Sequence, residues 1–140
     1  MNRYVEAYES LVRVIDELRS LPSTSIILVE GRKDASALRA LGIRSKIAAV
    51  NSSKPLEEIV SGYQEAILLL DYDRRGMLLS KRLEVRLRAA DVRPNLEYRR
   101  RIRRFTMGEL SHIEGLKAYV RSMEARAGKR HPTSRTRVGH

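Results

Sequence analysis

Two acidic segments of the sequence follow directly after short runs of aliphatic residues. Glu30 comes after the apolar run 25–29, and Asp71 and Asp73 come after the apolar run 66–70. Three carboxylates in one crevice would repel each other and titrate abnormally unless a cation joined them. Mg²⁺ suits them best, because it is a hard ion held by one or two carboxylates together with several waters. The pattern therefore predicts a Mg²⁺ site, with Mn²⁺ as the alternative ion.

The residues beside these acids have predicted roles of their own. Alternation along an extended strand places Asp71 and Asp73 on one side and turns Tyr72 elsewhere, so Tyr72 is predicted to pack against the sheet rather than act as a nucleophile. Gly31 and Gly76 let the backbone come close to the same space, where two predicted helices begin and point their positive ends.

A purely structural interpretation also exists for each acid. An aspartate that follows a strand can simply cap the next helix, and Glu30 has Arg32 and Lys33 close by in the sequence as ion-pair partners. For any one acid alone this interpretation is the simpler one, so the predicted metal site depends on their combination.

Alternating strands and helices are predicted around the two segments. Continuous apolar runs indicate buried strands, and Pro94 confines the last of them to a sheet edge; the strands are 25–30, 47–50, 66–71 and 92–96. Apolar periodicity, Gly and Pro indicate helices over 3–20, 32–41, 56–61, 76–90, 97–104 and 112–127. Strand followed by helix, three times over, predicts an α/β fold with a parallel sheet of about four strands and helices on both faces. The functional crevice of such a sheet lies beyond the carboxyl ends of its strands, where the three acids fall.

The predicted organisation is one domain over residues 1–127. Its core spans 25–96, and the amphipathic helix 3–20 is expected to pack its apolar stripe on this same domain. The C-terminal helices occupy 97–127. The remaining segment, 128–140, is basic and rich in Gly, Pro, Ser and Thr, which is typical of a disordered tail.

Charge and composition indicate the class of partner. The net charge is +11, and it is concentrated in residues 74–140, which carry 19 basic and 6 acidic side chains. Such a field attracts polyanions, so nucleic acid or a ribonucleoprotein such as the ribosome is the predicted partner. The alternative is the charged surface of a thermophilic protein. The sequence has no cysteine, no run long enough to cross a membrane and no signal peptide, so a cytoplasmic protein without a membrane partner is predicted.

Arginines supply most of the positive charge near the acids. The predicted nucleic-acid contacts are Arg74, Arg75, Arg99, Arg100, Arg103 and Arg104, with Arg101 in the same cluster. Aromatic residues are few, so shape-and-phosphate recognition of structured RNA or duplex DNA is favoured over base stacking.

The combination of the two acidic motifs resembles the Toprim domain, which topoisomerases, bacterial primases, OLD-family nucleases and the ribonucleases that mature 5S ribosomal RNA share. The motifs stand as Val29-Glu30-Gly31-Arg32-Lys33-Asp34 and, about forty residues later, Asp71-Tyr72-Asp73-Arg74-Arg75-Gly76. Together with the later Ile113-Glu114-Gly115-Leu116, they look like the small stand-alone Toprim proteins of archaea. The resemblance covers about residues 25–96 and implies a Toprim-like, Rossmann-like sheet. It also implies that Glu30 is the acid/base and is linked to the metal, and that Asp71 and Asp73 bind Mg²⁺. By the same resemblance, Asp34 is the outer acid of the motif and supports the site without binding the metal directly.

Several other chemistries are disfavoured by missing motifs. The sequence has neither a Walker A loop nor a Gly-x-Gly-x-x-Gly loop, no Gly-x-Ser-x-Gly elbow, and no zinc-ligand spacing at His112, His131 or His140. Two function hypotheses remain. The first is a Mg²⁺-dependent enzyme that cleaves or processes structured RNA or DNA, and the second is a non-catalytic nucleic-acid-binding or ribosome-associated module that retains the metal site.

Overall fold

The computed structural model describes residues 3–128 and shows strands and helices in alternation. The elements are α1 (Arg3–Arg19), β1 (Ser25–Val29), α2 (Arg32–Ala40), β2 (Lys46–Ala49), α3 (Leu56–Ile59), β3 (Glu65–Leu68), α4 (Arg74–Ala89), β4 (Arg93–Asn95), α5 (Glu97–Phe105), a 3-10 helix (Ile113–Gly115) and α6 (Leu116–Gly128). Among these helices, none is long and apolar enough to cross a bilayer.

The four strands form one all-parallel sheet in the order β2-β1-β3-β4. The strand β1 lies centrally, with Ile27 aligned with Ile47 of β2 and with Ile67 of β3. All five residues of β1 are buried, as expected for a parallel strand covered on both faces. The strand β4 pairs only with β3, so Pro94 lies on an edge, as predicted. The predicted α/β class is confirmed.

Helices cover both faces of this sheet. One face, which includes Ile27 and Ile67, packs against residues of α1, α2, α5 and α6. The opposite face, which includes Ile26 and Leu68, packs against residues of α3 and α4. The apolar stripe of α1 is buried in the first of these cores, so the expectation that this helix packs on its own domain is confirmed.

The direction of winding changes between β1 and β3, which are neighbours in the sheet. The helix after β1, α2, covers one face, and the helix after β3, α4, covers the other. The chain therefore leaves the two adjacent strands in opposite directions and opens a crevice beyond their carboxyl ends. Such a switch point is where open α/β sheets bind ligands.

Several predicted boundaries differ from the structure by a few residues. The helix predicted over 76–90 is α4, which begins at Arg74 and ends at Ala89. The third strand ends at Leu68 rather than Asp71, although residues 69 and 70 remain fully buried. The helix predicted over 112–127 begins only at Leu116, because the preceding residues form the 3-10 helix with a bond from the Gly115 amide to the His112 carbonyl. The predicted tail starts one residue too early, since α6 includes Gly128, and residues 129–140 lie outside the described part of the chain.

Candidate metal centre

Two aspartates and a histidine converge at the switch point. Asp71, Asp73 and His112 place one ligand atom each within 4.8 Å of the others, so these three residues could hold a metal ion. Asp71 is buried, whereas the side chains of Asp73 and His112 are 43% and 55% exposed. The centre is therefore buried at one side and open to the crevice at the other.

The loop that carries the aspartates is fixed by the segment before α6. One carboxylate oxygen of Asp71, Oδ1, accepts a hydrogen bond from the Ile113 amide at 2.8 Å. The Tyr72 amide in turn donates to the Ser111 carbonyl at 2.9 Å. These two bonds bring His112 beside Asp73, with 3.5 Å between His112 Nε2 and Asp73 Oδ2.

Asp73 has two roles, one for each oxygen. Its Oδ1 accepts from the Gly76 amide at 2.7 Å and caps the N-terminus of α4. Its Oδ2 is the atom that faces His112. The helix-cap interpretation from the sequence thus holds for one oxygen, and the other remains directed to the candidate metal centre.

Gly76 is needed because α4 starts directly against the backbone of Asp71. A Cβ atom on Gly76 would lie 2.1 Å from the Asp71 carbonyl oxygen and 2.7 Å from the carbonyl carbon. Protein atoms do not approach so closely, so only glycine fits here without a backbone shift. This contact sets the position of Asp71 relative to α4.

Tyr72 and Arg99 hold the same loop from the other side. The Tyr72 hydroxyl donates to the Arg99 carbonyl at 2.6 Å, and the Arg99 guanidinium lies 4.7 Å from the centroid of the Tyr72 ring. Burial raises the pKa of Tyr72, which opposes phenolate formation. Tyr72 therefore packs as predicted, with a structural role for its hydroxyl.

Arg99, which was predicted to contact nucleic acid, is partly buried and binds backbone carbonyls of the protein itself. Its Nε donates to the Leu70 carbonyl at 2.9 Å, and its Nη2 donates to the Asp71 carbonyl. Burial lowers the pKa of this guanidinium. Arg99 thus binds the two carbonyls that follow β3, those of Leu70 and Asp71. These bonds position the loop that carries the aspartates.

Glu30 lies in the same crevice but outside the group of three candidate metal ligands. It lines the crevice with Asp71, Asp73 and His112. Its Oε2 pairs with Arg75 Nη2 at 2.8 Å, and Arg75 is 79% exposed. The predicted partners Arg32 and Lys33 also line the crevice, but the ion pair is made with Arg75.

Asp34 supports the crevice wall from inside. It is buried and accepts a hydrogen bond from the Gly31 amide at 3.0 Å, at the start of α2. Burial raises the pKa of Asp34, and repulsion from Asp71 and Glu114 acts in the same direction. Gly31 faces the side chain of Asn51, since a Cβ atom on Gly31 would lie 3.1 Å from Asn51 Nδ2.

The other predicted arginines lie on the surface and are not among the side chains that line the crevice. Arg74 is exposed at the start of α4, and on α5 Arg100, Arg103 and Arg104 are exposed. Arg100 pairs with Glu97, and Arg103 and Arg104 lie 5.4 Å and 6.0 Å from the ring centroids of Tyr72 and Phe105. Arg101 has a structural role instead, because both of its terminal nitrogens donate to Glu17 on α1 at 2.8 Å.

Sequence reasoning missed some residues of this site. His112 has no zinc-ligand spacing in the sequence, so no local pattern marks it as a ligand. The fold nevertheless brings it beside residues about forty positions earlier. The only available signal was its place directly before the Ile113-Glu114-Gly115 motif. Asn51 and Glu114 also line the crevice. Glu114 belongs to that motif, whereas nothing in the local sequence marks Asn51.

The fold and the site together define an α/β protein with a candidate metal centre at the switch point of a four-stranded parallel sheet. No family model matches the chain. Curated proteins do match, and the chain belongs to the UPF0292 family. A family protein of Thermococcus gammatolerans is 35% identical over 116 residues, covering 81% of this chain and 85% of that protein. One from Methanosarcina barkeri is 30% identical over 132 residues, covering 89% and 92%.

A solved structure shares the fold. A protein from Aquifex aeolicus is similar with a TM-score of 0.64 and 25% sequence identity, covering 74% of this chain and 95% of that one. The relatives from Thermococcus and Pyrococcus fit the archaeal source that the Toprim resemblance implies and the thermophilic surface that the charged composition suggested as an alternative.

Proposed function

We propose that this protein is a Mg²⁺-binding Toprim protein that cleaves or processes phosphodiester bonds in structured RNA or DNA. The observation that carries the proposal is the convergence of Asp71, Asp73 and Glu30 in one crevice at the switch point. These are the acids of the two Toprim-like motifs, which lie apart in the sequence. The cationic side chains that line this crevice are Arg32, Lys33 and Arg75.

The donor set of the centre fits Mg²⁺ and also Mn²⁺. Asp71 and Asp73 supply the one or two hard carboxylates with which Mg²⁺ is usually held, and the open side of the crevice leaves room for water and phosphate oxygens. The imidazole of His112 suits a transition metal better than Mg²⁺. When bound, such an ion would supply positive charge that stabilises a phosphate in reaction.

The side chains of the crevice have separate proposed tasks. Glu30 accepts a proton from the attacking nucleophile. Its partner Arg75 is 79% exposed, whereas the Glu30 side chain is only 17% exposed. A phosphate group that enters the crevice can therefore reach the Arg75 guanidinium, compete for it and free the carboxylate. Arg74 and the exposed arginines of α5 neutralise flanking phosphates along the strand.

The test combines cleavage with binding. Structured RNAs and duplex DNA are incubated with the protein in Mg²⁺, in Mn²⁺ and in a chelator, and products are separated by gel. We expect metal-dependent cleavage that Glu30→Gln abolishes while binding remains. Glu58→Gln, an exposed acid on α3 outside the crevice, is the matched control and should cleave normally.

A non-catalytic binding module is the second candidate, and the Glu30–Arg75 pair favours it. Arg75 Nη2 lies 2.8 Å from Glu30 Oε2, so this carboxylate oxygen is already engaged in an ion pair rather than open to a nucleophile. This candidate, which includes a ribosome-associated role, predicts binding without cleavage under every metal condition. Both candidates require phosphate contacts, so affinity should fall steeply with salt and Arg100→Ala/Arg103→Ala should weaken it on all sequences alike. A flat salt response would contradict both.

A further inference from the structure

A second cavity opens beside the metal centre, between the end of β2 and the first turns of α4. Its volume is about 600 Å³. The side chains that line it include three aliphatic and three cationic ones: Val50, Leu78, Leu79, Arg74, Arg75 and Arg82. Glu30, Asn51 and Arg75 line both this cavity and the crevice of the metal centre, so the two are continuous.

The apolar part of this cavity is accessible. Leu78 is 45% exposed, and Leu79 and Val50 are partly buried at the margin of the core between the sheet and α4. A single exposed aliphatic residue on a helix is ordinary. Three aliphatic side chains lining one concave surface with three arginines form instead a site for a ligand with both an apolar and an anionic part.

The composition of the lining indicates which ligand this is. Arginine binds phosphate through its planar group and also stacks on flat aromatic faces. An apolar surface covers the face of a flat ring at little cost in desolvation. A nucleotide unit combines these two parts, because its phosphate is anionic and its base is flat with apolar faces. The shared residues Glu30 and Arg75 place its phosphate end toward the metal centre.

We infer that this cavity binds the base of an unpaired nucleotide whose phosphate lies at the metal centre. The inference rests on the proposed action on nucleic acid and names its substrate class. A base inside an intact duplex cannot reach a concave site and must leave the stack first. The preferred substrate is therefore RNA or DNA with an unpaired nucleotide beside the reacting phosphate, rather than a fully paired duplex. The scarcity of aromatic residues, which favoured shape-and-phosphate recognition over base stacking, is offset here by leucine and arginine.

Binding to three matched hairpins tests the inference. One hairpin is fully paired, one has a single-nucleotide bulge, and one has an abasic residue at the bulge, each made as RNA and as DNA. Fluorescence anisotropy in a chelator measures affinity without cleavage. We expect about tenfold tighter binding of the bulged hairpin than of the other two, a gain typical of stacking one base. The abasic hairpin separates recognition of the base from recognition of a bend.

Two variants of α4 connect this preference to the cavity. Leu78→Asp should abolish the preference for the bulged hairpin, because it places a charge on the apolar lining. Val85→Asp places the same charge two turns further along, at a residue that is 69% exposed and outside the lining, and should retain the preference. Circular dichroism checks folding, and Leu78→Ser replaces Leu78→Asp if the latter is unfolded.

The outcomes separate this inference from the proposed function. Equal affinity for the three hairpins, or equal loss of the preference in Leu78→Asp and Val85→Asp, overturns the base-binding cavity even if Mg²⁺-dependent cleavage is found. A bulge preference lost only on substitution of Leu78 supports it even if no metal supports cleavage. In that case the cleavage proposal fails and the base-binding cavity stands.

Discussion

Replacing Gly76 with alanine should displace Asp71 and weaken both the fold and the metal centre. The added Cβ atom would lie 2.1 Å from the Asp71 carbonyl oxygen and 3.0 Å from the Asp71 nitrogen. Both contacts are with backbone, so no side-chain rotation relieves them. Either α4 or the loop 71–73 must move by about 1 Å to restore an ordinary contact.

The size of the effect follows from two opposing terms. Overpacking of this kind costs about 1–3 kcal/mol, and a backbone clash belongs at the upper end of that range. Alanine gains about 1 kcal/mol over glycine inside a helix. The net loss of unfolding free energy is therefore about 2 kcal/mol, which corresponds to about 6–8 °C in Tm for a domain of this size. Displacement of Asp71 should also lower Mn²⁺ affinity by about tenfold.

Thermal unfolding followed by circular dichroism measures the first effect, and calorimetric titration with Mn²⁺ measures the second. Gly115→Ala is the matched control, because a Cβ atom there would meet only Leu110 Cδ1 at 3.6 Å, an ordinary contact. If Gly76→Ala has the same Tm and the same Mn²⁺ affinity as the wild type, α4 does not pack on the Asp71 backbone as described.

Three further predictions concern the neighbours of the aspartates. Burial raises the pKa of the Asp34 carboxyl, so the charged form of Asp34 is costly in the folded protein. Asp34→Asn removes this charge and keeps an acceptor for the Gly31 amide, so its unfolding free energy at pH 7 should equal or exceed that of the wild type. Asp34→Ala removes the acceptor as well and should lose about 1 kcal/mol of unfolding free energy in urea denaturation. Because the folded-state pKa is above the unfolded one, the advantage of Asp34→Asn should disappear as pH falls below the ordinary carboxyl range; an advantage that grows in acid would contradict this assignment. His112→Ala should reduce Mn²⁺ affinity about tenfold and Mg²⁺ affinity less in parallel titrations, and equal losses would argue against imidazole ligation. Tyr72→Phe removes the bond to the Arg99 carbonyl and should cost about 1 kcal/mol of unfolding free energy without loss of cleavage, while an inactive, folded variant would give the phenol a chemical role.

The sequence predicted the sheet and the place of the acids well, because those signals are local. Continuous apolar runs identify buried parallel strands, and Pro94 identifies an edge strand through its missing amide. Glu30 and Asp71 come directly after two such runs, and crevices of open α/β sheets lie beyond the carboxyl ends of the strands. The location of these two acids in the crevice could therefore be predicted.

The rest of the site depends on contacts that no local pattern encodes. His112 reaches Asp73 because the Ile113 amide bonds to Asp71, across 42 positions of sequence, and the Tyr72 amide bonds to the Ser111 carbonyl. The pairing of Glu30 with Arg75 rather than with Arg32 or Lys33 depends on how α4 leaves the sheet. Arg99 looked like its neighbours in an arginine-rich helix, but the fold turns it toward backbone carbonyls.

The bond between Ile113 and Asp71 has a consequence for the order in which the protein matures. All four strands are complete by residue 95, whereas His112 and the amide that orients Asp71 come from the segment just before α6. During synthesis the sheet can therefore assemble while the metal centre is still missing one ligand and its support. The 3-10 helix that carries the Ile113 amide packs against α2 and α6, so the candidate centre is complete only once the C-terminal part of the chain has been made. A metal ion would therefore find this candidate centre only at the end of synthesis, so a partly made chain that already holds the basic helix α5 does not yet carry the assembled centre.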